Sequence, residues 1–398
     1  MTHEAEQPDP VEVRGPHAWM NWNAERQGCP RRSDRHPDAV VIEPRWAEYV
    51  LCSDADIGGA WLELGPFVIQ SVMNGAPSRM GIVRRPLLLR YWDHLCDAPS
   101  GSVPLKTDVE DYVGGDIGDE MAALLGLALS RRIRSGGMTR RDVGDSHPLG
   151  IAFEDDSPYL EPPRRDPMIW WIAQPADLSD ARGLLARYPT LAREDAVALV
   201  RAARQYVEGL WYADLDPRIA WVKLIGALET AAAREDDSRR ETNRERLKRH
   251  NPALHALLDG LDPLLADGIA GQVAGLFKAQ QKVMDFVEKY KADEPPVRPD
   301  AQALQVDWSS VDETFKTIYG HRSRELHQGL AFPWPLSRPP FPDAGTPVPP
   351  ERFAAIAMAT HGAQWSADDL PMYLHVFAHL VGGTLRNWWA SKGDPEPS

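Results

Sequence analysis

The distribution of proline is the feature of this sequence that most restricts how the chain can fold. The stretch SPYLEPPRRDP, residues 157–167, separates two regions whose hydrophobic patterns differ. A second stretch, AFPWPLSRPPFPDAGTPVPP at 331–350, carries eight prolines in twenty residues, which excludes a helix or a central strand there. A shorter proline-rich loop is predicted at 292–300. The helices and strands must therefore lie between these breaks.

Residues 1–165 are predicted to form a mixed α/β domain. The short apolar segments AVVIEP, WLELGPFVIQSV and RPLLLRYW have the length of strands and are punctuated by Gly and Pro. One helix is predicted in DEMAALLGLALSRRIRSGG, with Asp119 as its N-cap, Ile133 on its apolar face and Gly136 at its end. The role of this domain is unknown from sequence, and a sensor or regulatory region is one interpretation.

Residues 176–395 are predicted to form an all-helical domain with proline-rich loops. One helix is predicted in REDAVALVRAARQYVEGLW, and the next has Asp216 as its cap and Pro217 at its first position. PERFAAIAMATHG and DDLPMYLHVFAHLVGGTLRNWWAS are predicted to give one or two closing helices. The chain as a whole is therefore predicted to be α+β, with a mixed N-terminal region followed by a helical bundle.

Composition and charge exclude several classes of protein. The chain has 43% hydrophobic and 26% charged residues, as folded globular proteins do, and no apolar run of about 18 residues that would predict a membrane span. Its start, MTHEAEQPDP, is acidic rather than signal-like, so a cytoplasmic protein is expected. The net charge of −14 argues against non-specific coating of nucleic acid, which needs a broad basic surface.

The segment WSSVDETFKTIYGHRSRELHQG is predicted to be an amphipathic helix with charged residues at its end. Ser310 and Glu313 have the spacing of a capping box. Arg322 lies on the stripe that otherwise faces the core, so its guanidinium needs a carboxylate, a phosphate or a water-filled cleft. The stripe consists of Val311, Phe315, Ile318, Arg322 and Leu326, and a neighbouring strip consists of Tyr319, Ser323 and His327.

This segment resembles the Apea-like branch of the HEPN superfamily. Tyr319, Arg322, Ser323 and His327 match that family's Tyr-x-x-Arg-Ser-x-x-x-His-Gly run, although Gln328 separates His327 from the glycine. The segment AWVKLIGALETAA is also similar to the family's Leu-rich helix ending in Ala-Leu-Glu, which makes Glu229 the matching acid. The resemblance covers roughly residues 190–390, and it does not extend to the N-terminal region.

The resemblance implies a metal-independent endoribonuclease that needs no cofactor and acts on RNA as a homodimer. Its catalytic residues would be Arg322, His327 and Ser323, with Tyr319 and Glu229 in support. Histidine suits proton transfer from a 2′-hydroxyl near neutral pH, and arginine suits a phosphate that gains negative charge. Side chains five residues apart on a helix point about 140° apart, so a cleft between two copies would bring Arg322 and His327 together better than one chain. A toxin or defence effector, restrained by a protein partner or an antitoxin, is one interpretation.

Other interpretations of these residues remain open at this point. Arg322 and Glu229 are also expected to pair in an ordinary helix packing, with His327 near the negative end of the helix dipole. The chain would then be a non-catalytic helical interaction or nucleotide-binding module.

Two further patterns in the sequence attract attention but favour packing. His375 and His379 have the i, i+4 spacing of metal ligands, yet their apolar neighbours and the lack of an obvious third ligand favour two packed histidines. Trp170 and Trp171, like the Trp388–Trp389 pair, are predicted to pack rather than to form an exposed platform for a base or sugar.

Overall fold

The computed structural model describes residues 15–28, 45–72, 86–95, 111–142, 149–154, 160, 164–237, 242–274, 278–340, 348–353, 358–360 and 362–393. The predicted strand AVVIEP, at 39–44, lies outside these residues. Within them the chain is α+β, as the sequence predicted: an antiparallel sheet and two helices come first, and a mostly helical region follows.

The N-terminal region is built on a six-stranded antiparallel sheet with the order β3-β4-β5-β1-β6-β7. The strands are β1 (Arg45–Ser53), β3 (Leu62–Leu64), β4 (Phe67–Ser71), β5 (Leu87–Asp93), β6 (Ile133–Arg141) and β7 (Ile151–Ala152), while β2 (Ile57–Gly58) lies outside this sheet. The predicted strand segments WLELGPFVIQSV and RPLLLRYW are confirmed as β3, β4 and β5. Leu87 and Leu89 of β5 are fully buried, with the less buried Leu88 between them, as expected for a sheet with one face on the core.

Helix α2 (Ile117–Leu129) lies against this sheet and is buried at every residue except Asp119. The predicted N-cap was wrong by one turn, because Asp116 caps the helix and Asp119 completes a capping box with it. The predicted end at Gly136 was also wrong. Ser130 adopts a left-handed conformation with φ 54° and stops the helix, so Ile133 begins β6 instead.

Helix α1 (His17–Arg26) is fastened to α2 by a carboxylate. Glu120 accepts hydrogen bonds from the backbone N–H groups of His17 at 2.8 Å and Ala18 at 2.7 Å. These are donors of the first turn of α1, which have no partner within the helix. Burial raises the pKa of Glu120 to about 7, against the opposing effect of the two backbone hydrogen bonds.

The C-terminal region is dominated by helices that match most of the sequence predictions. Helix α5 begins at Pro217 with Asp216 accepting from the Arg218 N–H, and its stripe from Trp221 to Leu228 is buried. Helix α7 begins at Pro252, and only Asn251 separates it from α6. The helices are α3 (Arg182–Leu185), α4 (Arg193–Tyr212), α5 (Pro217–Asp237), α6 (Asn243–His250), α7 (Pro252–Leu258), α8 (Pro263–Ala274), α9 (Lys278–Tyr290), α10 (Val311–Gln328) and α11 (Leu374–Lys392).

Two short strand pairs modify the all-helical prediction for residues 176–395. Strand β8 (Ala176–Asp177) pairs in parallel with β2 of the N-terminal region. Strands β9 (Met358–Thr360) and β10 (Ala363–Trp365) form an antiparallel pair where the sequence predicted part of a closing helix. The pairing of β2 with β8 joins segments on either side of the proline-rich stretch at 157–167.

One buried core runs through both regions. Its residues include Leu51 and Leu89 of the sheet, Leu124 of α2 and Leu199 of α4. A buried ionic group also crosses the predicted boundary, since Arg132 lies 2.6 Å from Asp54 and 2.9 Å from Asp214. Asp214 in turn accepts from the backbone N–H of Met168 at 2.9 Å. The division of the chain into two domains at 157–167 stays a prediction. Among the described residues, no helix has the length and apolar character to cross a membrane.

Candidate functional site

Helix α10 carries four of the five residues of the predicted site. One face of its first half is buried in the core, and its end is more exposed. Val311, Phe315 and Ile318 are fully buried, as their spacing predicted. Arg322 is half-buried, and Leu326, the last residue of the predicted inner stripe, is exposed. Gly329 ends the helix in a left-handed conformation with φ 68°, which glycine adopts readily. The last two turns of α10 therefore present their side chains at the surface.

The predicted capping box at the start of α10 does not form. Ser310 is the N-cap by position, but its side chain makes no capping hydrogen bond to the helix. A short 3₁₀ turn precedes the helix, and Asp307 caps that turn by accepting from Ser309 N–H at 3.0 Å. The helix boundary at Val311 nonetheless agrees with the sequence prediction.

Tyr319, Arg322 and Glu229 form one hydrogen-bonded group between α10 and α5. The Arg322 Nη2 donates to Glu229 Oε2 at 2.6 Å, and the Tyr319 hydroxyl donates to Glu229 Oε1 at 2.6 Å. Both carboxylate oxygens of Glu229 are thus engaged from α10. The guanidinium carbon of Arg322 also lies 5.6 Å from the centre of the Tyr319 ring, within the range of a cation–π contact.

The surroundings of Tyr319 keep its hydroxyl protonated. Burial, and then the hydrogen bond to Glu229, raises the pKa of Tyr319. The side chains of Arg322 and Glu229 are 18% and 23% exposed, so water screens their ion pair in part. The Nε of Arg322 is buried and has no hydrogen-bond partner among the described residues. Arg322 is therefore held in one orientation by a carboxylate but is not fully saturated with acceptors.

His327 and Ser323 lie apart from this hydrogen-bonded group. His327 is in the last turn of α10 and is exposed, and Ser323 is half-buried. Of the five predicted site residues, the structure joins Tyr319, Arg322 and Glu229 by direct contacts. Tyr319 is buried, and its hydroxyl is bonded to Glu229.

The structure adds His321, which the sequence analysis passed over. Its Nε2 lies 2.8 Å from the Asp369 carbonyl oxygen, and Nη2 of Arg324 lies 2.6 Å from its Nδ1. Because a guanidinium can only donate and a carbonyl can only accept, Nε2 carries the proton and Nδ1 accepts. Burial lowers the pKa of His321, which keeps this tautomer neutral. Its neighbours in the sequence, Gly320 and Arg322, gave no signal that this histidine turns inward.

His375 and His379 lie on α11, where the sequence predicted two packed histidines. His375 is buried, and His379 Nε2 donates to the Asp293 carbonyl oxygen at 2.9 Å. Across the described part of the chain, no group of three or more His, Cys, Asp or Glu side chains is arranged to hold a metal ion. Trp388 and Trp389 are fully buried, which confirms their packing role, whereas Trp170 and Trp171 are half-buried beside a cavity.

Comparisons of the chain with protein-family models, curated proteins and solved structures gave no match. The similarity to the HEPN superfamily therefore rests on the residues of α5 and α10 themselves and stays a prediction.

Proposed function

We propose that this protein is a metal-independent endoribonuclease of the HEPN type, working in the cytoplasm as a homodimer. The observation that carries the proposal is the arrangement of α5 and α10. Glu229 and Tyr319 fix the Arg322 guanidinium near the surface, and the same helix presents an exposed His327. A fixed cation and an accessible imidazole are the two groups that cleavage of RNA through its own 2′-hydroxyl requires.

The proposed reaction assigns a separate role to each group. His327 accepts the proton of the ribose 2′-hydroxyl as the 2′-oxygen attacks the adjacent phosphorus. Arg322 donates hydrogen bonds to the phosphate oxygens, where negative charge accumulates. The bond from phosphorus to the 5′-oxygen breaks, a proton is returned to that oxygen, and the products are a 2′,3′-cyclic phosphate and a 5′-hydroxyl end. Ser323, one residue from Arg322, would hydrogen-bond a phosphate oxygen.

A two-fold dimer through α10 completes this proposal. His327 follows Arg322 by five residues, so on one regular helix their side chains diverge by about 140°. Pairing two copies of α10 would place the arginine of one copy opposite the histidine of the other, giving two equivalent sites. Leu326 and His327 are both exposed near the end of the helix and are available for such a contact.

A second candidate is a non-catalytic helical interaction module. The observation that favours it is the ion pair itself, because Glu229 already neutralises Arg322 without any ligand. Glu325, on the same helix, adds a further carboxylate to the end that carries His327. In this alternative Arg322 fastens α10 to α5, and the exposed end of α10 meets a protein partner.

A ribonuclease assay separates the two candidates. Purified wild-type protein, His327→Ala and His255→Ala would be incubated with total RNA and with a defined single-stranded oligonucleotide. His255 is a suitable control because it also follows an arginine at close spacing, but it pairs with Asp259 on α7 at 3.6 Å. Cleavage by the wild type and the control but not by His327→Ala supports the enzyme. Equal cleavage by all three points to a contaminant and removes the support for His327.

A further inference from the structure

A cavity of about 390 Å³ lies where the N-terminal region meets the helical region, and we call it the junction cavity. Five parts of the chain line it: the end of α2 with Ser130, the segment of Trp170 and Trp171, the proline loop near Val297, the segment of Pro349, and helix α11. Its volume falls within the range of small-molecule sites. The walls belong to segments on both sides of the proline-rich stretch at 157–167.

The walls of the junction cavity include aromatic and proline side chains. Trp170 and Trp171 are half-buried there, and Pro295, Pro296 and Pro349 also line it. The indole N–H of Trp171 reaches the His375 backbone carbonyl at 3.4 Å, which orients its ring. Indole and proline surfaces favour a planar aromatic ligand over a branched aliphatic one, because aromatic rings gain from offset and edge contacts.

Two arginines that line the cavity, Arg386 and Arg131, have no carboxylate partner among the described residues. Arg386 donates through Nη1 to the Leu127 carbonyl oxygen at 3.3 Å and to the Ser130 hydroxyl. Both acceptors are uncharged, so they fix the guanidinium without neutralising its charge. An anionic group on a ligand would neutralise this guanidinium through charge-assisted hydrogen bonds.

The two carboxylates at the cavity do not neutralise these arginines, because one is paired elsewhere and the other is exposed. Glu351 is held by Arg298 through two hydrogen bonds, at 2.8 and 2.7 Å. Arg131 directs its donors to backbone carbonyl oxygens, among them those of Gln174 and Pro175. Asp180 is exposed. Arg386 and Arg131, whose acceptors are all uncharged, therefore set the positive sign of charge inside the cavity.

His375 supplies an uncompensated polar group to the same cavity. It is 4% exposed, and its Nδ1 has no hydrogen-bond partner among the described residues. Burial, and then the neighbouring His379, lowers the pKa of His375 to about 3, so the ring is neutral at pH 7. A buried polar atom without a partner costs roughly 1–3 kcal/mol, and a ligand that hydrogen-bonds the ring would recover part of it.

We propose that the junction cavity binds a small organic anion with a flat aromatic ring. The ring lies against Trp170 and Trp171, the anionic group bonds Arg386, and a polar ring substituent reaches His375. This site is separate from the Arg322 group and does not depend on the proposed nuclease activity. Because the walls of the cavity come from both regions of the chain, a bound ligand stabilises the contact between the end of α2 and α11.

The test uses the full-length protein and two probes of equal shape, naphthalene-2-carboxylate and the neutral naphthalene-2-carboxamide, titrated by calorimetry. We expect the carboxylate to bind with a Kd below about 1 mM, and the amide to bind roughly tenfold more weakly. Arg386→Gln should remove the difference between the two probes. Failure of the wild type to bind the carboxylate, or equal affinity for both probes, overturns the proposal.

Arg386 also caps α2, so a second variant keeps the test decisive if Arg386→Gln does not fold. Val297 is 50% exposed and lines the cavity, so Val297→Trp narrows it without disturbing the core. Leu264→Trp, on α8 at a side chain that is 84% exposed, is the matched control. The carboxylate should bind Leu264→Trp as it binds the wild type, and Val297→Trp at least about tenfold more weakly. Unchanged binding by Val297→Trp contradicts the proposed location.

Discussion

Arg322 and Glu229 are joined at 2.6 Å, which fastens the surface end of α10 to α5. Among the described residues Glu229 pairs with no other cation, and its second oxygen accepts from the Tyr319 hydroxyl at 2.6 Å. The Glu229 carboxylate thus positions Tyr319 and Arg322, two of the α10 residues that the sequence predicted as site residues. This contact fits both a catalytic and a purely structural role of Arg322. Its contribution to the free energy of unfolding can be measured without an assay of activity.

Glu229→Gln should lower the free energy of unfolding by about 1–3 kcal/mol, because it removes the charge that Arg322 pairs with in a partly buried setting. Glu208→Gln is the matched control. Glu208 also pairs with a cation on a neighbouring helix, Lys223 at 2.6 Å, but the two side chains are 41% and 37% exposed. Its loss should be below about 1 kcal/mol. Urea unfolding followed by circular dichroism measures both values, and equal losses would show that Glu229 does not anchor α10.

Arg132→Met should destabilise the protein by about 3–5 kcal/mol, since it leaves the buried carboxylates of Asp54 and Asp214 without their shared cation. Arg134→Met provides the comparison. Arg134 lies two residues further on and stacks on Trp211 at 3.9 Å, so its loss should be about 1 kcal/mol. Thermal unfolding of the wild type and the two variants measures the order of their stabilities. A small effect of Arg132→Met would mean that the ionic group does not hold the two regions together.

The stability of the protein should fall as the pH is lowered from about 6.5 towards 3, in part through His375. Burial lowers the pKa of this histidine from 6.5 to about 3 in the folded state. The unfolded chain therefore takes up a proton in this window that the folded chain refuses, at up to about 1.4 kcal/mol per pH unit.

His375→Phe removes this group while keeping a flat ring. The unfolding free energy of the variant should depend less steeply on pH between about 6.5 and 4 than that of the wild type. Urea titrations at several pH values provide the two slopes. Identical slopes would indicate that water reaches His375 and that its pKa is close to the ordinary value.

Mixing two inactive variants should restore activity if each site takes its arginine from one copy and its histidine from the other. Arg322→Ala and His327→Ala would be combined, unfolded and refolded together. Random pairing places half of the chains in mixed dimers with one intact site of two, so roughly a quarter of the wild-type activity is expected. Light scattering establishes the dimer first. A monomer, or a dimer that regains no activity, contradicts the shared site.

The sequence was sufficient for the parts of this fold that depend on local pattern. The buried stripe of α5 from Trp221 to Leu228 follows from helical spacing, and so does the start of α10 at Val311. The inward position of Arg322 required a partner, and the Ala-Leu-Glu segment supplied Glu229. Where two carboxylates competed for one helix end, as Asp116 and Asp119 did, the pattern chose the wrong one.

Contacts between segments far apart in the chain could not be predicted from the sequence. Ile133 fits the apolar face of a continued helix, and its pairing with Ser53 in β1 depends on where Ser130 stops α2. The β2–β8 pair and the group of Arg132, Asp54 and Asp214 join residues far apart in the chain. The junction cavity could not be predicted from the sequence for the same reason, since its walls come from five separate segments.

The central claim is that Arg322 and His327 cleave RNA without a metal ion, and the chemistry of the product ends tests it most directly. Wild-type protein, Arg322→Ala, Arg322→Lys and His327→Ala would each be incubated with a labelled oligonucleotide in EDTA, and the fragments analysed by mass spectrometry. We expect 2′,3′-cyclic phosphate ends from the wild type and a loss of about a hundredfold or more in each variant. Arg322→Lys should fail as well, because a lysine cannot reproduce the two-pronged contact of a guanidinium. Uncleaved RNA with the wild-type dimer, or cleavage that EDTA abolishes, would contradict the claim.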